Sequence, residues 1–155
     1  MTKYDIKDTN KKHILVLYHH LSVQSLLDIK AVNGEVSTGI LASLLESSSV
    51  SKTVMYDNKV AYTVFVMPTN INECSVFVVS TTLGYSDTET LKETFSAIIR
   101  DLPDFNLYSI VYKGNHKYAK LLKDNGFRFI KNLIHGEEKR NFLLLGRLRD
   151  GKQTK

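Results

Sequence analysis

The amino-acid sequence predicts an α+β fold of the mixed α/β type, in which helices flank a single central mixed sheet. Short runs of β-branched and aromatic residues, which are typical of strands, alternate with segments whose apolar residues recur at helical spacing. Between residues 74 and 112 the order is strand, helix, strand, which implies a right-handed crossover with parallel pairing of the two strands. We therefore expect a parallel β-α-β unit at the centre of the sheet.

Length and composition predict one globular domain. The chain has 155 residues, of which 43% are hydrophobic and 24% are charged, and such a chain can bury a sizeable core. We assign residues 1–148 to a single domain and residues 149–155 to a short basic C-terminal tail. No apolar run approaches the ~20 residues of a membrane span. The N-terminus lacks the apolar segment of a secretion signal, and the single cysteine, Cys74, fits a reducing cytoplasm.

The first third of the chain predicts a short strand followed by three helices. Asp8 or Thr9 is placed to cap the first helix, and Ser22 and Ser37 to cap the other two, because a side-chain oxygen there can accept from the N–H groups of the first turn. The apolar residues expected to face the core recur at helical spacing and are Ile14, Leu17, Tyr18, Leu21, Leu26, Leu27, Ile29, Ile40, Leu41, Leu44 and Leu45.

The middle of the chain predicts a hairpin and a central strand. Residues 50–56 and 60–67 are strand-like runs joined by the polar segment 57–59, which is a hairpin signal. A turn is expected at residues 68–72. The run over residues 74–83 is apolar on both faces, which is typical of a strand covered by helices on both sides.

The crossover helix is expected to follow this strand. Ser86 and Glu89 have the spacing of a capping box, in which two side chains satisfy the backbone at the start of a helix. The apolar stripe of the helix consists of Leu91, Phe95, Ile98, Ile99 and Leu102.

Residues 107–127 carry the clearest local pattern. A β-branched and aromatic strand at residues 107–112 is followed by Asn115, a good N-cap, and then by an amphipathic helix. Gly126 stands where a helix ends in the left-handed conformation, and Phe127 begins the next strand. A terminal hairpin, with strands at residues 127–134 and 142–148, completes the predicted fold.

This pattern resembles a known family. A strand, then Asn115, then an amphipathic helix and Gly126-Phe127, with the glycine eleven residues after the asparagine, is similar to the C-terminal half of the GNAT N-acetyltransferase fold. Over roughly residues 5–148 the chain resembles more closely the GNAT-like internal virion protein A family of short-tailed phages. The resemblance implies a location in the host cytoplasm or the virion, with virion or host proteins as partners.

The resemblance also implies where a cofactor would bind. In an active member acetyl-CoA lies between the two parallel strands, with its diphosphate at the N-terminus of the crossover helix. The corresponding residues of this chain are the cofactor-binding candidates, namely Val79, Thr81, Thr82, Gly84, Ser86 and Asn115. The family loop is rich in glycine, whereas this loop has one glycine and is followed by Asp87 and Glu89, which would repel a diphosphate. We therefore expect a weak or lost acetyl-CoA site.

The catalytic residues that the resemblance implies are incomplete as well. Many GNAT enzymes have a tyrosine seven residues after the capping asparagine, where it protonates the leaving thiolate. Leu122 stands at that position. Tyr118, one turn earlier, is the candidate acid, with a core aromatic as the alternative. Glu73, at the start of the central strand, is the candidate base, with a solvated loop residue as the alternative.

Other classes of function have less support. The histidines and the cysteine lack the spacing of a zinc site, so we expect no metal, and neither a P-loop nor a dinucleotide fingerprint is present. The net charge of +5 permits nucleic-acid binding. A solvated helix surface is the better explanation of the basic residues that suggest it, which are Lys113, Lys117, Lys120 and Lys123.

Two functional hypotheses follow. In the first, the chain is a GNAT-fold protein with a degenerate acetyl-CoA site that acts through protein contacts in the virion or during infection. In the second, it is an active acetyl-CoA-dependent N-acetyltransferase of an amine or protein acceptor. Cofactor binding separates the two. Residues 9–46, ahead of the hairpin, are expected to form either a substrate lid or a partner surface.

Overall fold

A computed structural model of the chain describes residues 2–136 and 139–148, so the predicted basic tail at residues 149–155 lies outside the described part. Within the described residues the elements follow in the order β1 (Tyr4–Asp8), α1 (Lys11–His19), α2 (Val23–Asn33), α3 (Thr38–Ser47), β2 (Val50–Tyr56), β3 (Lys59–Asn70), β4 (Glu73–Ser80), α4 (Thr88–Arg100), β5 (Asn106–Tyr112), α5 (His116–Asp124), β6 (Arg128–His135) and β7 (Arg140–Arg147).

The strands form one mixed sheet in the order β1-β2-β3-β4-β5-β7-β6. Its neighbouring strands pair antiparallel except for β4 and β5, which pair in parallel and are connected through α4. This arrangement confirms the predicted fold class and the parallel β-α-β unit at its centre.

Helices cover the sheet on both faces and create two hydrophobic cores. Successive side chains of a strand point to opposite faces, and in β3 Tyr62 and Val64 pack into the core under α4 and α5, whereas Phe65 packs into the core under α1, α2 and α3. Two-sided burial explains why β3 and β4 are apolar almost throughout. The described helices include none long and apolar enough to cross a membrane.

The start of α1 differs from the prediction. Its N-cap is Asn10 and not Asp8 or Thr9, because Asp8 remains in β1, opposite Lys52 of β2. The Asn10 side chain accepts a hydrogen bond from the His13 N–H at 3.0 Å, and His13 Nδ1 accepts one from the Asn10 N–H at 3.2 Å. A histidine thus performs the part that Glu or Gln plays in the usual capping box.

The predicted cap of α4 is wrong by one residue. Asp87, and not Ser86, accepts from the Thr90 N–H, at 3.1 Å. The Ser86 hydroxyl instead donates to the Leu83 carbonyl at 2.6 Å. The turn that ends the preceding loop uses Ser86, so the helix begins one residue later.

The predicted caps of α2 and α3 are confirmed, and of the three apolar residues predicted for α2 only Ile29 is buried. Ser22 and Ser37 each accept from the N–H three residues later. Leu26 and Leu27, expected in the core, are 42% and 48% exposed. The buried residues of α2 are Ser25, Asp28, Ile29 and Ala31.

The hairpin and central strands also differ slightly from their predicted bounds. Strand β3 continues to Asn70 and β4 begins at Glu73, so the turn expected over residues 68–72 consists only of residues 71 and 72. Strand β4 ends at Ser80, three residues earlier than expected. Asp57 and Asn58 form the hairpin turn with φ values of 50° and 68°, the left-handed conformation that two-residue hairpin loops require.

Candidate functional site

Strands β4 and β5 separate after a short region of pairing. The two strands pair in parallel only at Glu73 with Asn106, Cys74 with Leu107 and Ser75 with Tyr108. We call the gap beyond this region, between residues 76–80 of β4 and 109–112 of β5, the notch. In sheets with parallel strands, ligands bind beyond the carboxyl ends of the strands, and the notch is therefore the candidate functional site.

Side chains of the protein itself fill the lower part of the notch. The Val76 carbonyl accepts from the Ser109 hydroxyl at 2.7 Å and from the Tyr118 hydroxyl at 3.2 Å, and the two hydroxyls are 2.7 Å apart. The Val78 backbone also hydrogen-bonds the Tyr118 oxygen. Tyr118 is fully buried, and burial raises its pKa far above that of an exposed tyrosine.

The N-terminal end of α2 occupies the upper part of the notch. The Ser80 N–H donates to the Ser25 hydroxyl at 2.7 Å, and the Ser80 carbonyl accepts from the Ser22 N–H at 2.9 Å. The hydroxyls of Ser22 and Ser80 are hydrogen-bonded to each other at 2.6 Å. The edge of β4 that borders the notch is therefore bonded to groups of the same chain, where a neighbouring strand or a ligand would otherwise bind.

Asn115 joins α5 to α2 across the notch. Its side-chain oxygen accepts from the Tyr118 N–H at 3.2 Å, as expected of an N-cap, and its Nδ2 donates to Oδ2 of Asp28 at 2.6 Å. Asp28 is only 2% exposed, and its Oδ1 has no hydrogen-bond partner among the described residues. Burial raises the pKa of the Asp28 carboxyl to about 7, against the opposing effect of the Asn115 hydrogen bond.

Sequence reasoning missed Asp28 because the polar face of α2, and not its most apolar face, packs against the sheet. Ser22, Ser25 and Asp28 recur every three residues and so lie on one face of α2. A polar face normally points to solvent, and the opposite face, with Leu26 and Leu27, was expected to be buried. Ser80 and Asn115, which hydrogen-bond this face, lie far along the chain and gave no local sign that they would do so.

The loop between β4 and α4, residues 81–87, uses its own backbone groups internally. The N–H groups of Thr82, Gly84 and Ser86 donate to the carbonyls of His20, Thr81 and Leu83, respectively. A loop that binds phosphate presents such N–H groups to the ligand, so this loop lacks that property.

Two of the candidate cofactor residues in the loop have packing roles. The Thr81 hydroxyl is buried and donates to the carbonyls of Val60 and Ala61 at 2.8 and 3.1 Å. A Cβ atom at Gly84 would lie 2.8 Å from the Ser80 Cβ and 2.9 Å from the Ala61 carbonyl oxygen. Close packing against β3 and β4 is therefore sufficient to explain the glycine.

The N-terminus of α4 already carries a bonded carboxylate. Asp87 accepts from the Thr2 hydroxyl at 2.7 Å and from the hydroxyl and N–H of Thr90 at 2.7 and 3.1 Å. These hydrogen bonds, with Thr2 foremost, lower the pKa of Asp87 to about 2. The helix end is thus occupied by a negative charge at all ordinary pH values.

The structure brings Asn115 and Tyr118 into the notch but places other predicted site residues elsewhere. Val79 is buried in the core under α1, α2 and α3. Thr82 is exposed beside α1. Glu73 lies at the paired end of β4 and β5, where its carboxylate receives a long hydrogen bond of 3.5 Å from the Tyr108 hydroxyl.

A cavity of about 380 Å³ adjoins the base of the notch on the side of α2 and α3. Its walls are mainly apolar and include Leu44, Phe77 and Ile110, and His135 at the end of β6 also lines it. Across residues 2–136 and 139–148, no three His, Cys, Asp or Glu side chains come together as metal ligands would.

Comparisons with known proteins identify the fold. No family model and no curated protein sequence matches the chain significantly. Among solved structures, Ard1 from Thermoplasma volcanium is similar with a TM-score of 0.73 and 13% identity, covering 94% of this chain and 97% of the other.

Two further solved structures extend this similarity. Spermidine N-acetyltransferase from Vibrio cholerae, solved with CoA and spermine, gives a TM-score of 0.69 with 11% identity and covers 94% of this chain and 95% of its own. A GNAT-family acetyltransferase from Streptococcus pneumoniae gives a TM-score of 0.63 with 13% identity, and the match covers 95% of this chain and 99% of the other. At these identities the similarity concerns the fold, and this chain therefore has the fold of the GNAT N-acetyltransferases.

Proposed function

We propose that this GNAT-fold protein has a notch closed by its own side chains and that it acts through protein contacts, in the virion or during infection, and not by acetyl transfer. One observation carries the proposal. The β4 edge inside the notch, from Val76 to Ser80, is hydrogen-bonded by Ser109, Tyr118 and α2.

A cofactor arm in this notch would have to displace those groups. Re-exposing a buried aromatic side chain such as Tyr118 costs on the order of 2–3 kcal/mol. Each buried polar group that loses its partner costs about 1–3 kcal/mol more. Together these penalties lower cofactor affinity by roughly a hundredfold or more.

The loop and the helix end support the same conclusion. Internal hydrogen bonds use the N–H groups of Thr82, Gly84 and Ser86, and Asp87 places a negative charge at the N-terminus of α4. A diphosphate at this position would meet like charge and few available donors.

The resemblance to internal virion protein A supports a role in phage particles or infected cells. Helices α1 and α2 offer a surface for partners, because Leu15, Val23, Leu26 and Leu27 are all exposed there, and exposed apolar residues in one region are typical of interaction sites. If this role is correct, mass spectrometry of purified particles of the phage that encodes the chain detects it in a fixed ratio to the capsid protein. Its absence from such particles would leave a role in the infected cell only.

A second candidate function is acetyl transfer to an amine or protein acceptor, with acetyl-CoA as cofactor. Asp28 favours it, because this buried carboxylate has a pKa of about 7 and an oxygen without a partner among the described residues, so that it can take a proton from an amine. Asn115 would then hold the cofactor arm and Tyr118 would supply a proton. In this alternative, α2 has to leave the notch before the cofactor enters.

Calorimetric titration with acetyl-CoA and with CoA separates the two functions. We expect no binding heat and no thermal stabilisation of the wild-type chain at about millimolar ligand. Micromolar binding that disappears in Asn115→Ala would overturn the proposal and support the enzyme. Lys123→Gln, an exposed change at the far end of α5, is the matched control and should behave like the wild type.

A further inference from the structure

A second cavity lies beside α1, at the start of the β4–α4 loop. It has a volume of about 710 Å³ and separates α1 from the β2–β3 turn and from the residues after β4. We call it the α1 groove. Its walls are formed by Lys12, His13 and Val16 of α1, by Lys59, and by Thr82 and Leu83. Neither the fold comparison nor the notch assigns a role to it.

The α1 groove is positively charged. Lys12 and Lys59 contribute to two of its walls, and no Asp or Glu is among the described residues that line it. Neither lysine forms a salt bridge with a described carboxylate. The nearby Asp8 is paired with Lys52 at 2.6 Å, while Asp57, in the β2–β3 turn, does not line the groove. Two unpaired cations in one concave site attract an anion.

His13 adds a hydrogen-bond donor of fixed position. Its Nδ1 accepts from the Asn10 N–H at 3.2 Å, so in the neutral ring the proton resides on Nε2. Burial, together with the charge of Lys7, lowers the pKa of His13 and so favours the neutral ring. The exposed Thr82, whose N–H is already bonded to His20, contributes a hydroxyl to the same wall.

The remainder of the α1 groove is apolar. Val16, Met55, Val60 and Leu83 line it, and Val16 is 38% exposed although it belongs to a helix that packs on the sheet. Small-molecule sites combine an apolar lining with a few placed polar groups. The groove therefore fits a ligand that has both an anionic head and an apolar portion.

We propose that the α1 groove binds an organic phosphate, with the phosphate near Lys12 and Lys59 and the apolar portion on Val16 and Leu83. Lysine binds phosphate as a point charge, and the neutral His13 ring and Thr82 supply further donors. The ligand is either a free phosphorylated metabolite or the head group of a phospholipid. This site goes beyond the proposed function and does not depend on whether acetyl-CoA enters the notch.

Titration calorimetry with three probes tests the two halves of the site. Octyl phosphate carries both the anion and the apolar chain, inorganic phosphate carries only the first, and octanol only the second. We expect octyl phosphate to bind at least about tenfold more tightly than either of the others. Equal binding of octanol and octyl phosphate, or no binding of octyl phosphate at about 5 mM, overturns the proposal.

Surface variants locate the site without disturbing the core. Lys12→Gln and Lys59→Gln change exposed side chains and should each weaken octyl phosphate binding about threefold or more, and Val16→Asp should abolish it. Lys123→Gln, on α5, is the control and should have no effect. Binding that is unchanged in all three groove variants places the ligand elsewhere and refutes the site.

Vesicle sedimentation distinguishes the two sources of the phosphate. Retention on phosphatidylcholine vesicles that contain phosphatidic acid, lost in the Lys12→Gln/Lys59→Gln double variant, supports the site and identifies a lipid. Octyl phosphate binding without vesicle retention supports the site and identifies a free metabolite. If the chain also binds acetyl-CoA, loss of that binding in the double variant assigns it to the α1 groove, whereas loss in Asn115→Ala assigns it to the notch.

Discussion

Asn115 Nδ2 donates to Asp28 Oδ2 at 2.6 Å and thereby connects two helices that lie on opposite faces of the sheet. The other Asp28 oxygen has no partner in the described part of the chain. A carboxylate that is buried and only half bonded is stable in its protonated form. The position of α2 in the notch is therefore linked to the ionisation of one side chain.

This linkage predicts a pH-dependent stability that Asp28→Asn removes. The pKa of Asp28 rises from 3.8 to about 7 on folding, so its contribution to stability is complete below 3.8 and is lost as the pH rises through 7. A shift of this size corresponds to up to about 4 kcal/mol. We expect Asp28→Asn to be more stable than the wild type at about pH 8, and this difference in the free energy of unfolding should shrink steadily and become small at about pH 4, as measured by urea unfolding.

Asp101→Asn, at the exposed C-terminal end of α4, provides the matched control, and it should change the free energy of unfolding by about 0.5 kcal/mol or less. If the difference in unfolding free energy between Asp28→Asn and the wild type stays the same across this pH range, the pKa of the Asp28 carboxyl is not raised in the folded chain. The structural link between α2 and α5 would then depend on packing alone.

The hydroxyl of Tyr118 is expected to stabilise the closed notch. Tyr118→Phe removes the hydrogen bonds to Val76 and Ser109 while the ring stays in place, so it should lower the free energy of unfolding by about 1–2 kcal/mol. Tyr112→Phe, in a half-buried tyrosine that packs against Phe142, is the control and should cost less. Equal costs in urea unfolding would show that the Tyr118 hydroxyl adds nothing to stability.

Gly84 is expected to be required for packing and not for phosphate binding. Gly84→Ala places a Cβ atom 2.9 Å from the Ala61 carbonyl oxygen, and overpacking against backbone should cost about 1–3 kcal/mol. In Gly39→Ala, the nearest neighbour of the new Cβ is the Ser37 hydroxyl at 3.7 Å, and a helical glycine replaced by alanine should gain about 0.5–1 kcal/mol. Thermal unfolding should show a lower melting temperature for Gly84→Ala and a higher one for Gly39→Ala. An unchanged melting temperature of Gly84→Ala would contradict the packing role of this glycine.

The orientation of α2 predicts very different effects at two nearby apolar residues. Ile29 is fully buried, so Ile29→Ala should cost about 2–5 kcal/mol. Leu27 is about half exposed, so Leu27→Ala should change stability by about 0.5 kcal/mol or less. Urea unfolding measures both. A Leu27→Ala cost as large as that of Ile29→Ala would mean that α2 turns its other face to the sheet.

Local patterns were enough to predict most elements of this fold. The helix ends at Ser22, Ser37 and Gly126 depend only on backbone groups within a few residues, and the structure confirms these ends. The start of α1 was misplaced because His13 is an unusual capping-box partner for Asn10. Such errors of one or two residues arise where several polar side chains compete for the same N–H groups.

The arrangement of the candidate site depends on contacts between distant parts of the chain. Asn115 was recognisable as a helix cap, but its partner Asp28 lies 87 residues earlier. The rotation of α2 is fixed by the bond between Ser25 and Ser80, which are 55 residues apart. Neither relationship leaves a periodic signal in the sequence, because both are decided by where the sheet places the ends of β4 and α5.

The closed notch has a consequence for how the protein responds to its surroundings. A fold that is completed by a bound cofactor gains stability by mass action, so its melting temperature changes with the concentration of that cofactor. Here the backbone groups of β4 that border the notch are hydrogen-bonded by other residues of the same chain, namely Ser22, Ser25, Ser109 and Tyr118. Because these groups are part of the chain, the stability that they contribute does not depend on the concentration of any ligand in the notch.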